Sequence, residues 1–217
     1  MIKCVLFDLD GTLADTVESI AVAGNKALEM VGLRPQPVEK YNYFAGDGAD
    51  TLIKRALKAS GDEDCSLFEM AYSEYKKFFE LDCTYHVTPF PGIKEMLGAL
   101  KSRGIKIGVI SNKPHLRSID VVESLFGRDY FDIIVGHKEG FPKKPDPAST
   151  IAAAKELGFM PNQCIYVGDT NVDMKNGMAA KMSTIGVLWG FRKREELEAF
   201  SPQAIIEKPE EILNYLI

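Results

Sequence analysis

The chain predicts an α/β protein, a doubly wound parallel sheet interrupted by a helical insert. Three observations carry that prediction. Downstream of Pro89, short apolar runs alternate with stretches of helical period, the pattern of a parallel sheet covered on both faces. An apolar strand opens the chain at Ile2 and Cys4-Val5-Leu6-Phe7, yet from Thr16 to about Tyr85 nothing reads as a strand. Each strand-like run that bears on function is followed by charged or hydroxyl residues, at the strand ends where open α/β sheets bind their ligands.

Taken in order, the first strand ends in Asp8-Leu9-Asp10, and Gly11-Thr12 turns the chain. Val17, Ile20, Ala23, Ala27, Leu28 and Val31 then recur at helical spacing, with Gly32 as a stop. Leu52, Ile53, Ala56 and Leu57 form a second stripe, and Leu67, Met70, Ala71, Tyr75, Phe78 and Phe79 a third. Residues 15–87 are therefore predicted as a helical cap domain inserted into a core of residues 1–14 and 88–217, placed to act as a lid. In the core, a helix from about Ile93 to Ser102 leads to a strand over Ile105–Ile110. Helices near 116–125, 148–157 and 172–180 lead in the same way to strands near 131–135, 164–167 and 183–188.

Bulk properties narrow the class. A chain of 217 residues with 46% hydrophobic content supports a real core. A net charge of −5, with no block of basic residues, argues against nucleic acid or an acidic membrane as partner. The N-terminus reads as a strand and not as a signal peptide, and no apolar run nears the ~20 residues of a membrane span. The four cysteines are widely spaced without a CxxC, so Cys4 and Cys164 read as small core residues of a reduced, cytoplasmic protein. The expected state is a monomer or homodimer.

Four polar clusters follow strands that share one sheet edge: Asp8 and Asp10; Ser111-Asn112-Lys113; Lys143-Lys144-Pro145-Asp146-Pro147; and Gly168-Asp169-Thr170 with Asp173 a turn further on. Carboxylates so gathered repel one another unless a cation lies among them. Oxygen ligands without a His/Cys cluster favour magnesium over zinc or copper. Ser111, the amide after it and one lysine supply donors for a phosphate, and a carboxylate nucleophile can form an aspartyl-phosphate. Two aspartates at i and i+2 allow one to attack phosphorus while the other protonates the leaving oxygen and later deprotonates water. The constellation predicts metal-assisted phosphoryl transfer, with a small phosphorylated metabolite as the expected partner.

These clusters resemble, in order, the four motifs of the haloacid dehalogenase superfamily: Asp8–Leu13, Ser111–Lys113, Lys144–Pro147 and Gly168–Asp173. The resemblance spans essentially the whole chain and implies a Rossmann-like core. It makes Asp8 the nucleophile and Asp10 the general acid/base. Ser111 and Asn112 would hold the phosphoryl group, and Lys144 would neutralise it. Magnesium would bind Asp8, the Asp10 carbonyl and Asp169, while Asp173 would support a metal-bound water or Lys144. The insert segment Phe44–Leu57 and the late Gly186–Phe191 are similar to phosphoglycolate phosphatases, which implies 2-phosphoglycolate as substrate. Sugar-phosphate mutases and pyrophosphatases share the four motifs and stand as the alternative.

Plainer readings compete with each feature. Asp8-x-Asp10-Gly11 is not an EF-hand, because Gly11 comes two positions early and Ser19 stands where the glutamate belongs. Ser111 could cap a helix, a role compatible with binding phosphate. Lys113 carries less weight, as a neighbour of the motif expected to face solvent. Gly46-Asp47-Gly48 follows no strand and so is not a dinucleotide loop; Gly46 and Gly48 would let backbone amides approach the substrate. Lys54 or Arg55 could reach the substrate's distal charge, and Arg55 is the candidate carried forward. A phospho-signalling receiver would also use acids, magnesium, a hydroxyl and a lysine, but it has no use for Asp10 or the insert.

Overall fold

The computed structural model describes residues 1–217 and divides into two compact units, Met1–Asp15 with Thr88–Ile217, and Thr16–Val87. The first unit opens with β1 (Cys4–Phe7), whose four side chains are all buried. A short β2 (Ala14–Asp15) follows.

The second unit is helical: α1 (Val17–Met30), α2 (Val38–Phe44), α3 (Ala49–Ala59) and α4 (Phe68–Asp82). Its core joins Ile20, Ala23, Ala27 and Leu28 to Leu52, Ile53, Ala56, Leu57, Ala71, Tyr75 and Phe79, which are largely the apolar stripes of the sequence. Gly24 is where Tyr41 packs: a Cβ there would overlap the tyrosine ring, and Tyr41 Oη donates to Asn25 Oδ1 at 2.9 Å. Sequence periodicity missed α2, because seven residues following Pro35 and Pro37 are too short to show a repeat.

On return to the first unit, β3 (Thr88–Pro89) pairs antiparallel with β2. Then come α5 (Ile93–Ser102), β4 (Lys106–Pro114), α6 (His115–Phe126), β5 (Ile133–His137), α7 (Ala148–Glu156), β6 (Cys164–Gly168), α8 (Asn171–Ala179), β7 (Ser183–Val187), α9 (Arg194–Glu198) and β8 (Ala204–Ile206). Six strands form one parallel sheet in the order β5-β4-β1-β6-β7-β8, the predicted α/β class. The sequence reading did not assign α9 or β8, each of five residues or fewer.

β1 lies between β4 and β6, so both its edges are hydrogen-bonded, and every one of its side chains is apolar and buried. Strand order reverses at β1, which makes its C-terminal end the switch point of the sheet, where a crevice opens. Register completes the alignment: Phe7 is level with Val109 on β4 and Val167 on β6. Asp8 and Asp169, just past their strands, and Ser111, within β4, thus gather at the C-terminal end of the sheet. Cys4 and Cys164 are register partners in the buried core. No helix is long and apolar enough to cross a membrane.

Candidate active site

Asp8 follows the last residue of β1, its amide donating to Val167 O at 2.9 Å. Asp169 follows β6, and Asp173 lies in the first turn of α8. These three carboxylates are buried, and each offers an oxygen within 4.8 Å of the others. Lys144 joins them from the loop after β5. Its ammonium lies 2.7 Å from Asp8 Oδ1 and 2.8 Å from Asp173 Oδ1, and donates to Ile110 O and Tyr166 Oη, both at 3.0 Å.

Asp173 is fully engaged. Oδ1 takes Lys144 and the Tyr166 hydroxyl; Oδ2 takes the Thr170 amide at 3.1 Å and the Thr170 hydroxyl at 2.6 Å. The Thr170 hydroxyl in turn accepts from the Asp173 amide, closing a capping box at the start of α8. Of the two roles the sequence left open for Asp173, this geometry is the one directed at Lys144. Asp169 is held more lightly, by the Thr12 hydroxyl on Oδ1 and the Phe191 amide on Oδ2, each at 2.8 Å. Trp189 Nε1 donates to Thr12 O at 2.9 Å and so fixes the loop that carries Thr12.

Electrostatics mark a missing positive charge. Three carboxylates against one ammonium leave a formal charge of minus two. Burial, then the nearby Asp173, push the Asp8 carboxyl well above the usual range, more than Lys144 can offset. Burial and Asp173 raise Asp169 to about 7 against the donors from Phe191 and Thr12. Burial alone would lower the Lys144 ammonium, but Asp173 and Asp8 outweigh it and hold it well above its usual value. A divalent cation on Asp8 and Asp169 would cancel the excess, because each oxygen of Asp169 keeps acceptor capacity that Asp173 has already used. The residues present therefore fit a metal.

Motif two lies beside this cluster. β4 runs on past the expected end at Ile110, and its register against β5 shifts between Ile110 and Pro114, with four steps on β4 matching two on β5. Such irregularities re-aim side chains, and here the re-aimed residues are Ser111, Asn112 and Lys113. Ser111 Oγ accepts the Lys113 amide at 3.1 Å, which leaves its proton to donate elsewhere. The Asn112 side chain makes a reciprocal clasp with Lys144, receiving its amide at 2.8 Å and donating to its carbonyl at 3.0 Å. Lys113 corrects the sequence expectation: it is buried, and its Nζ lies 2.7 Å from Asp10 Oδ1.

The candidates in the second unit are not among these residues. Gly46 and Gly48 take φ values of 113° and 95°, backbone that glycine adopts readily, on either side of Asp47. Arg55 pairs with Asp47 at 2.6 Å and donates to Phe44 O at 3.0 Å, bracing the loop that leads into α3. Sequence reasoning placed Thr12, Thr170 and Phe191 within its motifs without giving them a role, and it passed over Tyr166. Tyr166 had a signal, as the one hydroxyl-bearing position in the apolar run Cys164–Val167; the Phe191 contact, being a backbone amide, had none.

The family model for haloacid dehalogenase-like hydrolases matches residues 5–187. A phosphoglycolate phosphatase of Neisseria meningitidis is 33% identical over 192 residues, covering 88% of this chain and 82% of the relative. One from Aquifex aeolicus is 32% identical over 215 residues, covering 99% and 96%. A crystal structure described as a predicted phosphoglycolate phosphatase from Haemophilus somnus superposes with a TM-score of 0.90 at 25% identity, covering 100% of this chain and 98% of that one. The chain belongs to the haloacid dehalogenase-like hydrolases and, among them, is similar to the phosphoglycolate phosphatases.

Proposed function

We propose that this phosphoric monoester hydrolase acts on a small anionic phosphomonoester, 2-phosphoglycolate, with magnesium as cofactor and Asp8 as nucleophile. The observation that carries the reading is the Lys144 ammonium set between Asp8 and Asp173, with Asp169 adjoining. Curated relatives named phosphoglycolate phosphatase support the choice of substrate.

Magnesium, held by the Asp8 and Asp169 carboxylates and the Asp10 carbonyl, would balance the charge of the acids and polarise the phosphoryl oxygens. Asp8 forms a bond to phosphorus as the bond to the leaving oxygen breaks. Asp10 gives that oxygen its proton. Water then attacks the phosphoryl group on Asp8, Asp10 takes up a proton, and the carboxylate of Asp8 is restored. Ser111 and the Asn112 amide hold the phosphoryl oxygens, and Lys144 offsets their charge. Asp173, through its contacts to Lys144, keeps the ammonium aimed at Asp8. We assign this chemistry to residues 1–14 and 88–217. Substrate selection we assign to residues 15–87, with Gly46, Gly48 and Arg55 as contacts.

The test is a steady-state panel with magnesium: 2-phosphoglycolate, sugar phosphates, nucleotides and pyrophosphate. We expect kcat/KM for 2-phosphoglycolate to lead by at least about 10-fold, or roughly 1.4 kcal/mol of transition-state preference. Equal values across the panel would overturn the substrate while leaving the hydrolase. A requirement for a sugar bisphosphate, with little phosphate released to water, would point to a mutase.

A further inference from the structure

We propose that Lys113 is the positioning residue for Asp10, an inference that rests on the proton-transfer role assigned to Asp10 above. The ion pair at 2.7 Å is unevenly exposed: the Lys113 side chain is 2% accessible and that of Asp10 17%. The carboxylate is the more accessible partner and the lysine the buried one. A lysine whose whole stem is buried gives up its rotamer freedom and its hydration, so this is not the arrangement of a surface ion pair.

The main chain on both sides of this side chain is pinned. The Lys113 amide donates to Ser111 Oγ at 3.1 Å, and its carbonyl accepts from Ser118 Oγ on α6 at 3.2 Å. Gly136 on β5 gives that carbonyl room, since a Cβ at residue 136 would stand 2.8 Å from it. Lys113 also lies inside the stretch where β4 slips register against β5. Within that slip the Lys113 side chain reaches Asp10. One residue thus fixes the Ser111 hydroxyl through its backbone and the Asp10 carboxylate through its ammonium. A carboxyl that serves first as acid and then as base must stand at the same place in both half-reactions, and an anchored lysine supplies that place.

A purely structural lysine would make different predictions, and leaving-group dependence separates the two. The leaving oxygen of an alkyl phosphate needs the Asp10 proton as its bond to phosphorus breaks. The p-nitrophenolate of p-nitrophenyl phosphate departs without one. In kcat/KM, which reports events through that first bond cleavage, Lys113→Met should lose about 100-fold on 2-phosphoglycolate and stay within about threefold on p-nitrophenyl phosphate. Lys113→Arg should recover part of the loss, and Asp10→Asn should show the same split. If Lys113→Met does not fold, Lys113→Gln, which keeps a donor and the stem's polarity, carries the same comparison. Equal losses on both substrates, with Asp10→Asn still split, overturn the role of Lys113 and leave that of Asp10 standing. No split in Asp10→Asn overturns the proton-transfer reading, and the inference with it.

Discussion

Asp173 uses both of its oxygens on the protein itself: Lys144 and Tyr166 on one, the amide and hydroxyl of Thr170 on the other. A carboxylate so occupied acts by holding its neighbour, and its neighbour is the one ammonium that touches Asp8. Partners in the layer behind a metal or nucleophile commonly govern rate by about 10- to 100-fold, and Asp173→Asn should lower kcat by that order with KM changed less. Steady-state kinetics on 2-phosphoglycolate measures this, and an unchanged kcat would contradict it. Asn112 works on the same lysine from the other side, through its clasp on the Lys144 backbone. Asn112→Ala leaves the buried Lys144 amide without that partner, at a cost of about 1–3 kcal/mol seen as a lowered denaturation midpoint.

At the scale of elements, the strand ends were legible and the loops that finish the site were not. β1, β4, β6 and β7 are apolar runs long enough to read, and their parallel order follows from the helices between them. The register slip in β4 is invisible to hydropathy, because Ser111-Asn112-Lys113 read as a loop after a strand that ended at Ile110. Lys113 lies within that slip and is buried, where the sequence reading put it toward solvent as a neighbour of the motif. Gly11 and Gly190 are a second case. Asp169 is seated between them, and a Cβ at either residue would overlap its carboxylate. Spacing alone cannot show this, since the two glycines stand far apart in the chain. Overpacking of such a seat typically costs about 1–3 kcal/mol. Gly190→Ala should weaken the apparent magnesium affinity at least about 10-fold, read as a higher magnesium concentration for half-maximal rate. An unaltered magnesium titration would show that Asp169 is not confined by its surroundings.

Across the whole molecule, the acidic cluster ties stability to pH and metal. Asp169 has its carboxyl at about 7 in the metal-free fold, against the usual 3.8. A carboxyl raised on folding binds its proton more tightly in the native state. Its contribution is therefore full below the usual value and is lost as pH rises toward about 7. The upward shift of Asp8 has the same sign. Metal-free protein should melt lower at pH 8 than at pH 5.5 on this account. Magnesium should restore more at pH 8, by about 2–4 °C for each kcal/mol of repulsion relieved. Calorimetry with and without magnesium at the two pH values measures it, and an equal magnesium gain at both would contradict the proposed ligands.

Covalent capture on Asp8 tests the central claim most directly. Asp10→Asn protein is mixed with 2-phosphoglycolate and magnesium, quenched in acid, digested and examined by mass spectrometry. The account predicts one phosphorylated peptide, with the phosphoryl group on Asp8, and none from Asp8→Asn protein. A phosphoryl group on another residue, or Asp8→Asn protein hydrolysing at the wild-type rate, would contradict it.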